Sequence, residues 1–323
     1  MRLEQLRFLC EIVDREYSIS RAAEALNTSQ PGVSKQIRLL EQELKFEILL
    51  RRRGRIAGLT EPGASVVRIA RKMLRDAGSI GSLRDDLMQR DGGELVIATT
   101  HLHAQHVLPA IVERFRRNYP RVQFSLLQAN PDETLDLVSS GRADIGITGD
   151  TPGSTELVQL PCYDLKRSLI LPRGHPLLRE RKLTLEKIAR HPQIAYDRSY
   201  PGGMALHRAF EARGITPDII INAIDSEVIK AYVRIGLGIA VVPTVAFERS
   251  VEKTLAAVDV TGLFGVSSAF VVLHPEAYLR TYMYDFIAML GPRWTRARIE
   301  AVVARGSGSA PKQVRWRKSV GRA

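Results

Sequence analysis

The side chains best suited to recognising a polyanion lie near the amino end of the chain. Gln30 carries an amide that can pair with an adenine edge, and Ser34 carries a hydroxyl that can contact a base or a phosphate. Lys35 and Arg38 follow at helical spacing and can reach guanine or phosphate. A basic run from Arg51 to Arg53 would lie against the sugar-phosphate backbone. These residue types predict contacts with double-stranded DNA, and the alternative is a solvated polar helix face.

A second candidate site begins at the end of a short apolar run, Leu95 to Ala98. Thr99 and Thr100 follow this run and lead into a helix, so hydroxyls and free backbone N–H groups meet where an anion is favoured. Because ligands of open α/β sheets bind at the carboxyl ends of strands, Thr148 and the loop from Tyr200 to Gly203 are expected on the facing walls. The predicted ligand is a small anion or zwitterion. The alternative is that the two threonines only cap the helix.

Three histidines directly after these threonines, His101, His103 and His106, raise the question of a metal site. Imidazole is a common zinc ligand, but no nearby cysteine completes a ligand set, and such histidines serve more often as hydrogen-bond donors. We therefore expect neither a metal nor a cofactor. His103 beside an anion would make binding pH-dependent, since histidine titrates at about pH 6.5.

Composition narrows the class of protein. The 323 residues are enough for about two domains, and 45% hydrophobic with 25% charged residues is typical of a globular chain. The net charge of +12 favours a polyanionic partner, although six cations between Arg305 and Ala323 supply half of it. We expect these last residues to form a disordered basic tail.

The sequence also excludes several classes. Two cysteines suit a reducing compartment, and the chain has neither a targeting pattern nor a run of about 18 apolar residues, which predicts a cytoplasmic protein without a membrane partner. No Gly-x-Ser-x-Gly, P-loop or His-Glu-x-x-His motif is present, so we expect no enzyme activity.

The apolar spacing predicts the elements that position these residues. The first sixty residues favour three short helices with Ser18 and Ser29 as N-caps and Pro31 in the third, followed by a two-stranded wing. From Ala64 to about residue 90, apolar residues recur mostly in three- and four-residue steps, which predicts a long helix with a dimer seam. From Glu94 onward, strands alternate with helices, which predicts parallel sheets in two lobes.

These patterns predict an α/β fold class with a predominantly helical amino-terminal domain. Residues 1–63 are assigned to a winged helix-turn-helix domain, 64–92 to a linker and dimerisation helix, and 93–304 to an effector-binding domain. Its two α/β lobes are expected at 93–161 with 266–304, and at 162–265. The basic tail is assigned to residues 305–323.

Several motifs are similar to those of one known family. They are Ala22-Ala23, Thr28-Ser29-Gln30-Pro31, Val33-Ser34-Lys35-Gln36-Ile37, Leu40-Glu41 and Leu59-Thr60. With these motifs the amino-terminal third resembles the LysR-type transcriptional regulators, and the resemblance extends over nearly the whole chain. The chain is most similar to the CysB/Cbl branch, whose members regulate sulfur assimilation. Segments that carry this finer resemblance include Ile97-Ala98-Thr99-Thr100-His101, Leu160-Pro161-Cys162-Tyr163 and Val228-Ile229-Lys230-Ala231-Tyr232.

The resemblance implies a winged helix-turn-helix, a linker helix that pairs subunits, and a two-lobed effector domain similar to periplasmic binding proteins. It also implies a homotetramer whose partners are promoter DNA, a small effector and RNA polymerase. The DNA contacts it implies are Ser29, Gln30, Pro31, Ser34, Lys35 and Arg38, with Arg51, Arg52 and Arg53 near the wing. The effector residues predicted from the chain and the resemblance together are Thr99, Thr100, His101, Leu102, His103, Thr148, Pro201 and Gly202.

In the CysB/Cbl branch the matching pocket uses threonines and a glutamine for sulfate, O-acetylserine-type or adenylylsulfate-type effectors. This chain has Leu102 and His103 where that branch has a threonine and a glutamine, and Pro201 where it has another threonine. The expected function is a DNA-binding regulator of sulfur, cysteine or sulfonate genes that responds to an anionic or zwitterionic effector. The alternatives are a LysR-type regulator of another pathway, a small-molecule receptor without operator specificity, and an enzyme with a basic nucleic-acid-binding arm.

Overall fold

The computed structural model describes residues 1–52, 55–87, 92–149, 157–248 and 250–305. These residues form two compact units. The first comprises the described residues up to 87 together with the short segment Ala277–Arg280, and the second comprises the other described residues from 92 onward. Within these ranges, no helix is both long enough and apolar enough to cross a membrane.

The amino-terminal unit consists of helices and one hairpin. Its elements are α1 (Leu3–Asp14), α2 (Ile19–Ala25), α3 (Gln30–Leu44), β1 (Leu49–Arg52), β2 (Arg55–Leu59) and α4 (Glu61–Leu87). Ser18 and Ser29 are the N-caps of α2 and α3, because their hydroxyls accept hydrogen bonds from the N–H groups of Arg21 and Gly32. The predicted winged helix-turn-helix is confirmed.

The core of this unit is built from one face of each helix. Leu9 and Ile12 of α1 and Val33, Ile37 and Leu40 of α3 are all at most 1% exposed. Fully burying such a side chain stabilises the fold by about 1.5–3 kcal/mol. This packing fixes the rotation of α3 about its axis, so its remaining faces point away from the core.

The long helix α4 begins earlier than predicted and packs differently. It starts at Glu61, inside the segment assigned to the wing domain, because Pro62 suits the first turn of a helix. Ala70 is 1% exposed and Met73 packs against the core of the same unit, so part of the predicted dimer seam is occupied within the chain. Ile80 is 72% exposed. A dimer seam along α4 therefore stays a prediction.

The first lobe of the second unit is a five-stranded sheet covered by helices. Its strands are β3 (Gly93–Thr99), β4 (Val122–Gln128), β5 (Ile145–Gly149), β6 (Val158–Leu165) and β12 (Ser267–Leu273), in the order β4-β3-β5-β12-β6. Its helices are α5 (His101–His106), α6 (Leu108–Asn118), α7 (Pro131–Ser139), α12 (Thr281–Leu290) and α13 (Arg296–Ala304). Phe115 on α6 packs edge-on against Phe124 and Phe286, with ring centroids 5.1 and 5.5 Å away.

The second lobe holds two smaller sheets. A three-stranded sheet has the order β10-β7-β11 and a two-stranded sheet pairs β8 with β9. The strands are β7 (Arg167–Pro172), β8 (Gln193–Tyr196), β9 (Ile219–Ala223), β10 (Ala240–Pro243) and β11 (Leu255–Asp259). The helices are α8 (Leu185–Ala189), α9 (Pro201–Glu211), α10 (Ser226–Arg234) and α11 (Thr261–Phe264), with 3-10 turns at Pro176–Arg179 and Thr244–Ala246.

Two expectations about this unit are wrong. Parallel pairing was expected throughout, and it occurs between β3, β4 and β5 and between β8 and β9. However, β12 runs antiparallel to β5 and β6, and β7 runs antiparallel to β10 and β11. The lobe boundary expected after residue 161 falls inside β6, which pairs with β12 as far as Leu165. β12 runs opposite to β5 because the chain returns along it from the second lobe to the first.

Asn130→Ala is expected to lower the stability of the second unit by about 1 kcal/mol, because it removes the cap of α7. Asn130 accepts a hydrogen bond from the Glu133 N–H at 2.9 Å, and the Glu133 carboxylate accepts one from the Asn130 N–H at 3.1 Å. Scanning calorimetry of the full chain measures the change in the unfolding midpoint. The control is Asn118→Ala at the exposed end of α6. Equal decreases in both variants would contradict the capping role.

Candidate functional site

The third helix presents a polar face to solvent. Gln30, Lys35 and Arg38 are exposed and Ser34 is half-buried. The cap residue Ser29 and Pro31 in the first turn are exposed as well. This face is free within the unit and carries the donors and acceptors that read base edges and phosphates.

The hairpin adds positive charge beside the helix-turn-helix. Arg51 and Arg52 are exposed. Arg51 Nη2 lies 3.1 Å from Glu41 Oε2, and Glu41 Oε1 also accepts hydrogen bonds from the Ile48 and Leu49 N–H groups at 3.0 and 3.1 Å. Glu41 therefore anchors the start of the hairpin and offsets part of its charge. Arg53 lies outside the described residues.

A cavity lies between the two lobes of the second unit, where the carboxyl end of β3 faces β7 and α9. It offers about 40 Å³ to water-sized molecules, which is room for a few waters. Of the eight predicted effector residues, six line it, namely Thr100, His101, Leu102, His103, Pro201 and Gly202. The structure thus brings together most of the predicted site.

Thr99 and Thr148 do not line the cavity, and both are fully buried. Thr99 Oγ1 donates a hydrogen bond to the Ile147 carbonyl at 3.0 Å, which ties β3 to β5. Thr148 Oγ1 has no hydrogen-bond partner among the described residues. Thr100 is the N-cap of α5, but its side chain accepts no capping hydrogen bond there. The alternative in which both threonines only cap the helix is therefore not supported.

The helix that follows Thr100 is shorter than the sequence pattern suggests. It is the six-residue α5, and α6 begins after a break at Val107 because Pro109 suits the first turn of a new helix. Such a short helix has a weak dipole, so the charge for an anion must come from elsewhere.

Arg167 supplies this charge, and the sequence analysis did not select it. The residue begins β7, lines the cavity and is 2% exposed. Its Nη2 donates a hydrogen bond to the Ser267 hydroxyl, and Ser267 also lines the cavity. None of the described residues that line this cavity is acidic. In the sequence Arg167 follows Lys166 at a strand boundary, which is the usual pattern of exposed cations, so no local signal marked it.

Gly202 permits the close packing around this arginine. A Cβ at Gly202 would lie 3.0 Å from Tyr196 Cδ2 and 3.5 Å from Arg167 Nη1. Any larger side chain would enter the space between these two groups. Gly202 was predicted in a loop, but it lies in the first turn of α9, where its small size allows this close packing.

His103 is buried and hydrogen-bonded, whereas the sequence predicted a histidine that titrates beside the ligand. It is 1% exposed, and its Nδ1 lies 2.7 Å from the Tyr163 hydroxyl on β6. Burial lowers the pKa of His103 to about 4, so the ring is neutral at physiological pH. The expectation that His103 titrates at about pH 6.5 is therefore wrong for this structure.

His103→Asn is expected to reduce the loss of stability of the second unit in acid. The folded-state pKa of about 4 lies below the unfolded value of about 6.5, so the unfolded chain takes up the proton first. Stability from the neutral ring is full above about pH 6.5 and falls by about 2 kcal/mol at pH 5. Unfolding midpoints between pH 7.5 and 5 measure the slope, with His191→Asn as the control. An unchanged slope in His103→Asn would contradict a buried neutral ring.

The other two histidines face the second lobe. His101 Nε2 lies 3.0 Å from Asp225 Oδ2, and His106 Nε2 lies 3.3 Å from Glu227 Oε1. The three imidazoles thus point to different partners, and no group of three potential metal ligands occurs among the residues that the structure describes.

A helix-turn-helix with an exposed polar helix in one unit, and a cleft between two α/β lobes in the other, are typical of a ligand-responsive DNA-binding regulator. Comparison with family models agrees with this class. Residues 3–64 match the bacterial regulatory helix-turn-helix protein of the lysR family, and residues 88–295 match the LysR substrate binding domain. The chain belongs to the LysR family of transcriptional regulators.

Individual relatives span nearly the whole chain. It is 38% identical to the HTH-type transcriptional regulator SsuR of Burkholderia cenocepacia over 304 residues, covering 94% of this chain and 99% of that protein. It is 37% identical to the HTH-type transcriptional regulator cbl of Escherichia coli over 290 residues, covering 90% and 92%. The solved cofactor-binding domain of the Cbl transcriptional regulator aligns with a TM-score of 0.63 at 34% identity, covering 66% of this chain and 93% of that domain.

Proposed function

We propose that this LysR-family regulator controls genes of sulfur, cysteine or sulfonate metabolism in response to a small anionic or zwitterionic effector. The resemblance to regulators of sulfur assimilation supports the choice of pathway. In this proposal residues 1–63 bind DNA, 64–92 pair subunits, and 93–304 bind the effector. The basic tail assigned to 305–323 lies almost wholly outside the described residues.

The observation that carries the effector class is the buried cation at the cavity wall. Arg167 is 2% exposed, lines the cavity and shares it with no acidic side chain among the described lining residues. A guanidinium presents several N–H donors in one plane and binds planar and tetrahedral oxyanions well. Ser267 and Thr100 add hydroxyls to the same cavity. The set of donors favours sulfate, a sulfonate, or the carboxylate of an O-acetylserine-type ligand.

The proposed mechanism couples this cleft to DNA. An effector held between the lobes favours one arrangement of the subunits and thereby changes the spacing of the DNA-binding units on operator half-sites or the bend of the DNA. A ligand shifts such an equilibrium only by its different affinity for the two arrangements. The exposed face of α3, with Gln30, Pro31, Ser34, Lys35 and Arg38, is proposed to enter the major groove.

A thermal-shift screen of the full chain tests the effector class. Sulfate, thiosulfate, sulfonates, O-acetylserine and adenylylsulfate are compared with chloride at equal ionic strength. A ligand that binds only the folded form stabilises it and so raises the unfolding midpoint. At a ligand concentration of a hundred times the Kd, the free energy of unfolding increases by about 2.7 kcal/mol. If none raises it above the chloride control, the effector proposal fails. Gel shifts on DNA upstream of the protein's own gene test operator binding independently.

A further inference from the structure

Two histidines of α5 join the first lobe of the effector unit to the second. His101 Nε2 lies 3.0 Å from Asp225 Oδ2, and His106 Nε2 lies 3.3 Å from Glu227 Oε1 and 3.5 Å from Ser226 Oγ. These partners form the amino end of α10. The contact lies at the edge of the cavity, because His101 lines it while His106 and Glu227 do not.

The two carboxylates are fixed by further contacts in the second lobe. Asp225 is the N-cap of α10, and its Oδ1 accepts hydrogen bonds from the N–H groups of Glu227 and Val228 at 2.6 and 3.0 Å. Glu227 Oε1 lies 2.7 Å from Lys230 Nζ, and Lys230 also lies 3.0 Å from Glu252. A nearby lysine thus already offsets the charge of Glu227 before any proton reaches His106.

His106 is therefore a poor site for a proton while the lobes touch. Burial lowers the pKa of His106, and Lys230 and His101 act in the same direction against the opposing carboxylates Glu227 and Asp225. Separation of the lobes would return the ring to water, where a histidine titrates at about 6.5. Proton uptake by His106 then accompanies separation.

We propose that His101, His106, Asp225 and Glu227 form a proton-sensitive clasp that holds the two lobes together while His106 is neutral. The closed arrangement binds fewer protons than the open one, so its population falls as pH falls below about 6.5. His101 is 44% exposed, so solvent screens its contact with Asp225 more than it screens the contact between His106 and Glu227. The clasp concerns lobe closure and does not depend on the identity of the effector.

Hydrogen exchange of the full chain, followed by mass spectrometry, tests the clasp. Rates at pH 7.5 and 6.0 are corrected for intrinsic exchange and read in α5, in the first turn of α10, and in the start of α9. The α9 segment is included because Pro201 packs against Gly149 of the first lobe, a contact that involves none of the four clasp residues. The corrected opening of all three segments is expected to be about two- to fourfold greater at pH 6.0. The fourfold limit applies if His106 has a pKa of about 6.5 in the open arrangement and takes up no proton in the closed one.

His106→Gln is expected to abolish this difference between the two pH values. The matched control is His207→Gln, because burial lowers the pKa of His207 as well, while that residue lies on α9 and contacts Arg198. The control should retain the wild-type difference. The clasp is overturned if His106→Gln retains the difference, or if wild-type opening increases in α5 and α10 but not in α9. An increase confined to α5 and α10 would indicate local fraying of these helices rather than separation of the lobes. This outcome is measured on the wild-type chain and needs no variant.

Discussion

Arg167→Gln is expected to lower the affinity of the effector cleft for sulfate by about 30- to 1000-fold. The range corresponds to about 2–4 kcal/mol, the usual loss when a buried charge partner of an anion is removed. Glutamine keeps a polar amide, but it is shorter than arginine and removes both the charge and the Nη donors, one of which bonds Ser267. Isothermal titration with sulfate at fixed ionic strength measures the change. An anion from the thermal-shift screen that binds more tightly replaces sulfate as the probe.

Arg173→Gln is the matched control for this experiment. Arg173 follows the other end of β7, is exposed and does not line the cavity. The same substitution there removes one positive charge from the lobe without touching the ligand. Sulfate affinity that is equal in both variants would show that the cleft attracts anions only through the overall charge of the lobe. In that event Arg167 loses its role as the anchor of the effector.

The double substitution Lys35→Ala with Arg38→Ala is expected to weaken operator binding by about 2–5 kcal/mol. Each base contact contributes about 1–3 kcal/mol, and removing a side chain that binds a phosphate lowers the salt slope by about 1. Both side chains are exposed on α3, opposite the buried Val33 and Ile37, so their removal leaves the core of the unit intact. Fluorescence anisotropy over a salt series, on operator and on random DNA, measures the effect.

The two kinds of DNA separate base reading from charge. A loss of affinity confined to the operator indicates binding to base edges, whereas an equal loss on both DNAs indicates binding to phosphates. The control is Arg179→Ala with Arg181→Ala, which removes the same charge from exposed positions of the second lobe. Operator affinity that is unchanged in the α3 variant would exclude this face of α3 from the DNA interface.

Lobe closure links the cleft, the clasp and the proposed regulation. The cavity is formed jointly by α5 of the first lobe and by β7 and α9 of the second, so a ligand inside it favours the closed arrangement. The clasp would favour the same arrangement from the edge of the cavity. Effector affinity is therefore expected to fall in acid, because part of the binding free energy must then close the lobes.

The DNA-binding unit could be predicted from the sequence almost completely. Its helices α2 and α3 begin directly after the N-caps Ser18 and Ser29, because capping is a local property of the chain. The spacing of Val33, Ile37 and Leu40 determines the buried face of α3. The apolar stripe of α4 is also evident in the sequence, but the stripe does not specify what covers it. In the structure, part of it packs against the core of the same unit.

The effector site could be predicted only in part. Thr100, Pro201 and Gly202 were selected by their places at the ends of strands and line the cavity as expected. Arg167 was missed and Thr148 points elsewhere, because each outcome depends on which strands become neighbours. Arg167 meets Ser267, a residue 100 positions further along the chain. No window of local sequence contains that information.

The sequence by itself determined the family, the capped helices of the amino-terminal unit and the polar face of α3. These follow from short-range spacing and capping, which act within a few residues. Only the tertiary structure decided that Arg167 provides the charge of the cleft, that His103 is neutral, and that His101 and His106 bridge the lobes. Burial and ionisation depend on contacts between distant segments, so the same residue types acquire their roles only when the chain is folded.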